Sequence, residues 1–247
     1  VSDHRHAYVS FLRANTIDIL MSSFGICCFR KRSGRETEVL ILRRRYTYEY
    51  CMFVYGIYNS IAELKKILAG TTIDEKLVIM TGNFDRIFDK IWTGHRPEKY
   101  TKYKATFDNI MLTLTMPGLK AILETTVSVD LSWELPKGRK DASIETDIEC
   151  ACREFVEETG LPRESFAVSV MDHSRCYIRD FGALYTMKFW AAVMKDTAVE
   201  PLCTLGNKSY YEHDIIKFVN VSVAVTYLPE QMATVAKSLV KIIDRKL

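Results

Sequence analysis

Residues 146–161, TDIECACREFVEETGL, constrain this chain more than any other stretch. Thr146-Asp147-Ile148-Glu149 has the spacing of a capping box, and Gly160 stands where a helix normally ends, so 147–159 should form one helix. At about 100° per residue, Glu154, Glu157 and Glu158 share one side of it. Ile148, Cys152, Phe155 and Val156 lie roughly opposite and can enter a core. Glutamates at this spacing repel one another unless a cation lies between them, and a hard divalent ion that prefers oxygen ligands is the natural counterion. A solvated acidic face is the plainer account of such a pattern taken alone.

Strand patterns lie on both sides of a helical block. DILMSSFGICCFR (18–30) and EVLILRRR (38–45) read as two strands joined by a turn, KRSGRET. From Ser60 the period changes: Ser60 to Glu63 forms another capping-box start, and Ile61, Leu64, Ile67 and Leu68 recur at helical spacing. Further helical pieces are expected at 74–80, at NFDRIFDKIW (83–92), at 98–114, and after Pro117-Gly118 at LKAILETT. Strand patterns return in VSVDLSWEL (127–135), AVSVMDHSRCYI (167–178), ALYTMKFWAAVM (183–194) and DIIKFVNV (214–221). The closing stretch begins with Pro229 at a helix-start position and keeps Met232, Val235, Ala236, Leu239 and Ile243 on one stripe. The chain therefore reads as an α/β or α+β domain, a mixed β-sheet flanked by helices, carrying an all-helical insertion. Its expected parts are an N-terminal arm (1–17), a main domain (18–59 and 128–247, with a C-terminal helix at 229–247) and the insertion (60–127).

A net charge of +3 over 247 residues is too small to argue for nucleic acid or membrane, so basic character has to be sought locally. The longest apolar or small-residue run, ILMSSFGICCF, falls short of the ~20 residues a membrane helix needs, and the chain reads as soluble. Seven cysteines at spacings unlike zinc knuckles point to reduced thiols in an intracellular compartment. Oligomeric state is not legible.

The acidic helix and its lead-in, PKGRKDASIE, together resemble the Nudix box, G-x5-E-x7-R-E-U-x-E-E-x-G-U, with U a bulky apolar residue. Glu145 stands eight residues before Arg153, and Arg153, Glu154, Phe155, Glu157, Glu158, Gly160 and Leu161 all match. One departure is the loop from Gly138 to Glu145, which has six intervening residues where the pattern has five. The resemblance implies a Nudix fold in which Glu154, Glu157 and Glu158 hold Mg2+ or Mn2+, with a backbone carbonyl near Gly138 completing the shell. It implies that Arg153 orients the glutamates, that Glu145 braces the loop, and that water attacks the phosphorus of a nucleoside diphosphate derivative.

WELPKGR (133–139), just before the box, resembles the version found in eukaryotic and viral mRNA-decapping members of the family. RRRY (43–46) and NFDRIFDKIW resemble the same group. Hydrolysis of the m7GpppN cap to m7GDP and 5'-monophosphate RNA is the activity this implies, with capped mRNA as partner, no membrane, and a cytoplasmic location. Stacking rings for a methylated guanine would be Tyr48, Tyr50 and Tyr185, although strand tyrosines commonly serve packing alone. RNA and phosphate contacts would come from Lys137, Arg43 and Arg45, and from Arg96, Lys99, Lys102 and Lys104 in the insertion, where a solvated helix face is the plain alternative. The general base would be Asp214 or Glu212, in a segment that resembles the family's later acidic motif. Two other functions remain open on these residues: hydrolysis of a diphosphoinositol polyphosphate or dinucleotide, and a catalytically inactive Nudix-fold RNA-binding protein.

Overall fold

The computed structural model describes residues 21–92, 94–141, 144–180, 183–201 and 212–245. The expected N-terminal arm (1–17) and Cys203 lie outside the described residues. The chain divides into two compact units, one from the described residues up to Arg44 and from Ser132 onward, the other Arg45–Leu131.

The first unit is built on a mixed sheet. β1 (Met21–Arg30) and β2 (Glu38–Arg44) pair antiparallel at Phe29↔Val39, across the turn that contains Gly34. Two short strands, β3 (Trp133–Glu134) and β4 (Lys137–Gly138), pair with β2 and β1 respectively. β5 (Phe166–Asp180) pairs antiparallel with β6 (Ala183–Met194), β6 runs parallel to β1, and β7 (His213–Asn220) is antiparallel to β2. Side chains alternate along each strand, so the sheet buries two different faces. Phe24, Ile26, Cys28, Leu40 and Leu42 pack under the acidic helix, α6 (Asp147–Thr159). Cys27, Phe29, Val39 and Ile41 pack on the other face, against α7 (Val221–Tyr227) and α8 (Glu230–Ile243).

The second unit is helical. It comprises α1 (Tyr48–Val54), α2 (Ile61–Ala69), α3 (Ile73–Ile79), α4 (Phe84–Trp92) and α5 (Tyr100–Thr125). It starts earlier than the expected insertion at 60, because the residues after Arg44 form α1 and Glu75 of α3 ties down its cap. The Glu75 carboxylate accepts from the Thr47 backbone N–H at 2.7 Å and from the Thr47 hydroxyl at 2.9 Å, both buried. Two other differences have clear causes. The expected strand at 127–135 is reduced to Trp133–Glu134, since Val127 is 84% and Val129 43% exposed and neither lies in a strand. The break near Pro117 falls at Thr115, whose φ of 61° interrupts α5 two residues before the proline ring that cannot continue an α-helical hydrogen bond.

Candidate active site

α6 forms as its sequence dictates. The Thr146 hydroxyl accepts from Glu149 N at 3.3 Å, and the Glu149 carboxylate accepts from Thr146 N at 2.9 Å. Gly160 closes the helix in the left-handed region (φ 69°), its N–H donating to Val156 O at 2.9 Å. Phe155 is fully buried against Phe166, their ring centroids 4.6 Å apart, which contributes roughly 1.5–3 kcal/mol of apolar burial. Anchored on that side, the helix turns Glu154, Glu157 and Glu158 the other way. Glu154 and Glu158 are buried and Glu157 half-buried.

Arg153 is the fork that arranges these acids. Its Nη1 donates to Glu154 at 2.8 Å and to Glu157 at 3.2 Å, while Nε and Nη2 hold Glu145 at 2.8 and 3.1 Å. Nη2 also donates to the Arg139 carbonyl at 2.8 Å, and Glu145 accepts from Asp141 N at 3.1 Å. One guanidinium thus pins both ends of the 139–145 loop onto the helix. The Arg153 hydrogen bond holds the Glu145 carboxyl below the usual carboxylate range.

The lead-in segment lies directly on the glutamates. A Cβ on Gly25 of β1 would fall 2.2 Å from the Pro136 carbonyl, so only glycine lets the segment approach the sheet there. A Cβ on Gly138 would fall 2.0 Å from the Glu154 carboxyl carbon, so the glycine the sequence pattern singles out leaves room for that carboxylate. The Lys137 backbone N–H donates to Glu158 at 2.9 Å. Beside it Glu134, itself buried, binds three cationic or titratable side chains: Lys137 Nζ at 2.5 Å, His213 Nε2 at 2.9 Å and Arg44 at 3.3 Å. Burial opposes a charge on Glu134, but Lys137, Arg44 and His213 together hold its carboxyl well below the usual range. Glu134 and Arg44 did not stand out as site residues in the sequence, and His213 did so only as a weak alternative to the acids as general base. The signal for Arg44 was the β2 alternation, which points it to the α6 face with Leu40 and Leu42.

Among the described residues no three His, Cys, Asp or Glu side chains stand ready to hold a metal ion. The donors nevertheless suit a hard divalent cation. Glu158 is pushed well above the normal carboxylate range, first by burial and then by the charges of Glu134, Glu154 and Glu212, against the opposing pull of Lys137. A cation there would relieve that cost, and carboxylate oxygens are the ligands Mg2+ and Mn2+ take.

Other expected residues fall in several places. Asp214 is corrected: it leaves β7 on the face opposite to His213 and forms a two-pronged pair with Arg43 (2.9 and 2.6 Å), away from α6. Glu212 is the later acid whose charge reaches Glu158. Arg43 is accordingly engaged with Asp214, and Arg45 lies beyond the end of β2, so strand alternation does not join the two arginines on one face. Lys137 lies beside Glu158, its ammonium on Glu134. Tyr185 has the strand parity of Met187 and Phe189, which pack under α8, so its ring leaves β6 on the face away from the acids. Tyr50 is also corrected: it is fully buried inside the helical unit, its hydroxyl donating to Ile87 O at 2.7 Å, and cannot stack on a ligand. Tyr48 opens α1 half-buried. In the same unit Arg96 is bound by Asp89 and Asp85, Lys104 pairs with Asp108 at 3.5 Å, Lys99 is half-buried at the α5 cap and Lys102 is exposed.

No protein-family model matches the chain. An mRNA-decapping protein of African swine fever virus, g5R, is 32% identical over 163 residues, covering 60% of this chain and 63% of the viral protein. A protein of Acanthamoeba polyphaga mimivirus, also named for mRNA decapping, is 50% identical over 169 residues. That match covers 65% of this chain and 41% of the mimivirus protein, so the chain spans less than two thirds of either relative. Among solved structures, a C. elegans Ap4A hydrolase superposes with a TM-score of 0.50 at 13% identity, covering 92% of this chain and 99% of that one.

Proposed function

We propose that the chain is a metal-dependent mRNA-decapping member of the Nudix hydrolase superfamily that cleaves the m7GpppN cap to m7GDP and 5'-monophosphate RNA. The observation that carries this reading is the junction of WELPKG with REFVEE: Gly138 makes room for the Glu154 carboxylate, and Lys137 N–H holds Glu158. The lead-in that marks the decapping branch and the acids that mark the superfamily thus form one structure. Its named viral relatives support the same substrate.

Glu154, Glu157 and Glu158, with the carbonyl region of Gly138, would hold Mg2+ or Mn2+. A bound ion would supply charge withdrawal from the phosphate oxygens and a more acidic water. This chain's own residues do the rest. Arg153 keeps Glu154 and Glu157 in register through its two Nη1 bonds and fixes the 139–145 loop through Glu145. Lys137, poised on Glu134, carries a positive charge beside the acids for the substrate's phosphates. Glu212, whose charge reaches Glu158, would take the proton from the attacking water. Capped messages place the reaction in the cytoplasm of a cell or infected host.

A second reading, an inactive RNA-binding protein, draws on the Arg153 bridge, whose Nη1 engages both Glu154 and Glu157 as the side chains stand. Cap-labelled RNA separates the two. Incubated with Mn2+, the protein should release m7GDP, and Glu157→Gln and Glu158→Gln should each abolish release while RNA binding persists. No labelled product from the wild type, or full activity in both variants, overturns the decapping reading. Stronger turnover of a diphosphoinositol polyphosphate would move the substrate class.

A further inference from the structure

The sheet face turned away from α6 carries a cluster that cleavage does not use. Trp133 of β3 and Tyr227, the last residue of α7, stand with ring centroids 5.3 Å apart at 31°. The Lys217 ammonium of β7 lies 4.5 Å from the Trp133 ring and 5.2 Å from the Tyr227 ring. On the other flank the Arg43 guanidinium is 5.9 Å from the Trp133 ring, its orientation fixed by the pair with Asp214. Tyr227 remains 46% exposed, and Val223, one turn earlier on α7, is 42% exposed.

Each feature has a bland explanation alone, since exposed apolar residues are common and a lysine near rings is a weak attraction. Their combination is more specific. Trp133 packs on the core and forms a rigid floor. Tyr227 overhangs it, 46% exposed, and Lys217 and Arg43 set positive charge at the rim, with Asp214 beside Arg43. Flat, partly solvated rings edged by cations match a nucleobase and its phosphate, whereas an apolar peptide would need a larger uncharged surface.

We propose that Trp133, Tyr227 and Lys217 form a stacking site for single-stranded RNA. This rests on the reading of capped RNA as substrate and adds where part of the RNA body is held: one base stacks on Tyr227, and Lys217 neutralises an adjoining phosphate. The cluster is separated from the acids by the thickness of the sheet.

The test is binding of an uncapped, fluorescein-labelled single-stranded RNA to the full chain, read by anisotropy over a salt series. Tyr227→Ala should weaken binding by ~5- to ~150-fold, the range for loss of one stacked base, while Tyr227→Phe, which keeps the ring, restores it. Lys217→Ala should reduce the slope of log affinity against log salt by about 0.7, one phosphate contact on a single strand. Hydrolysis of the free cap dinucleotide m7GpppG and the melting temperature should be unchanged in all three variants. Wild-type RNA affinity in Tyr227→Ala, or an unchanged salt slope in Lys217→Ala, overturns the proposal. If the wild type cleaves no cap but the RNA effects appear, the stacking site stands and the decapping reading fails.

Discussion

The acidic helix α6 and the basic run at 95–104 look like mirror images in the sequence, each a short helical stretch dense in one sign of charge. The folded chain treats them differently. In the helical unit the bases are answered locally: Arg96 by Asp85 and Asp89, and Lys104 by Asp108. On α6 one guanidinium, Arg153, must serve Glu145, Glu154 and Glu157, and Glu158 is left among other acids with its carboxyl driven upward. A run of like charge marks a site when the fold leaves it unbalanced, and that residue of charge is what a ligand can use.

The sharpest way to break this comparison is at Gly138. An added Cβ would meet the Glu154 carboxyl carbon at 2.0 Å, and the neighbour there is a buried carboxylate held by Arg153. Gly138→Ala should therefore push Glu154 out of line by about an ångström and lower cap hydrolysis on the order of 10²-fold. Affinity for uncapped RNA should change little, because the contacts proposed for the RNA body lie on the opposite sheet face. Activity near wild type would mean that Glu154 tolerates displacement and is not a positioned ligand.

A second substitution tests whether the charge cluster next to the acids is structural. Glu134 is buried and answers Lys137, Arg44 and His213, so Glu134→Gln leaves three donors around a neutral amide. Removing one partner of such a buried group costs about 3–5 kcal/mol, enough to shift a thermal melt by many degrees. The sign of the pH effect follows from the depressed carboxyl. A group whose folded pKa lies below its unfolded value contributes fully above about pH 4.3 and loses that contribution as pH falls through the folded pKa. Melts of the two proteins should differ most near neutrality and converge in acid. A constant difference at all pH values would show that the loss is one of shape.

Legibility in the sequence followed the same division. α6 could be read because its cap, its closing glycine and its apolar stripe are local signals that agree, and the structure keeps all three. Tyr50 could not be read, because a tyrosine after a strand pattern says nothing of the helix that forms there and buries it. Asp214 failed for a related reason. Alternation with Ile216 and Phe218 would put it on the α6 face, but the irregularity where β7 passes Arg43 and Arg44 carries it to Arg43 on the far face, and a linear motif does not record such a bulge. Glu134, Arg44 and His213 are far apart in sequence and meet only because β2, β3 and β7 are neighbours. Such long-range clusters leave no local periodicity to find.

The smallest expected effect lies in the basic run and sharpens the comparison from its other end. Arg96 is held by Asp89 and Asp85, and its guanidinium also lies 4.8 Å from the Tyr100 ring, so its charge is spent within the unit. Lys102, on the same stretch, is exposed. If this surface contacts RNA, Lys102→Ala should lower the salt slope of binding by about 0.7, and Arg96→Ala should leave the slope nearly unchanged. Each change in affinity at fixed salt should be only a few-fold, since one exposed phosphate contact is a small part of the total. Equal slopes for both variants and the wild type would assign the run to solvent. A larger drop for Arg96→Ala than for Lys102→Ala would mean that RNA competes successfully with Asp85 and Asp89, and that the local neutralisation contrasted with α6 does not persist in the complex.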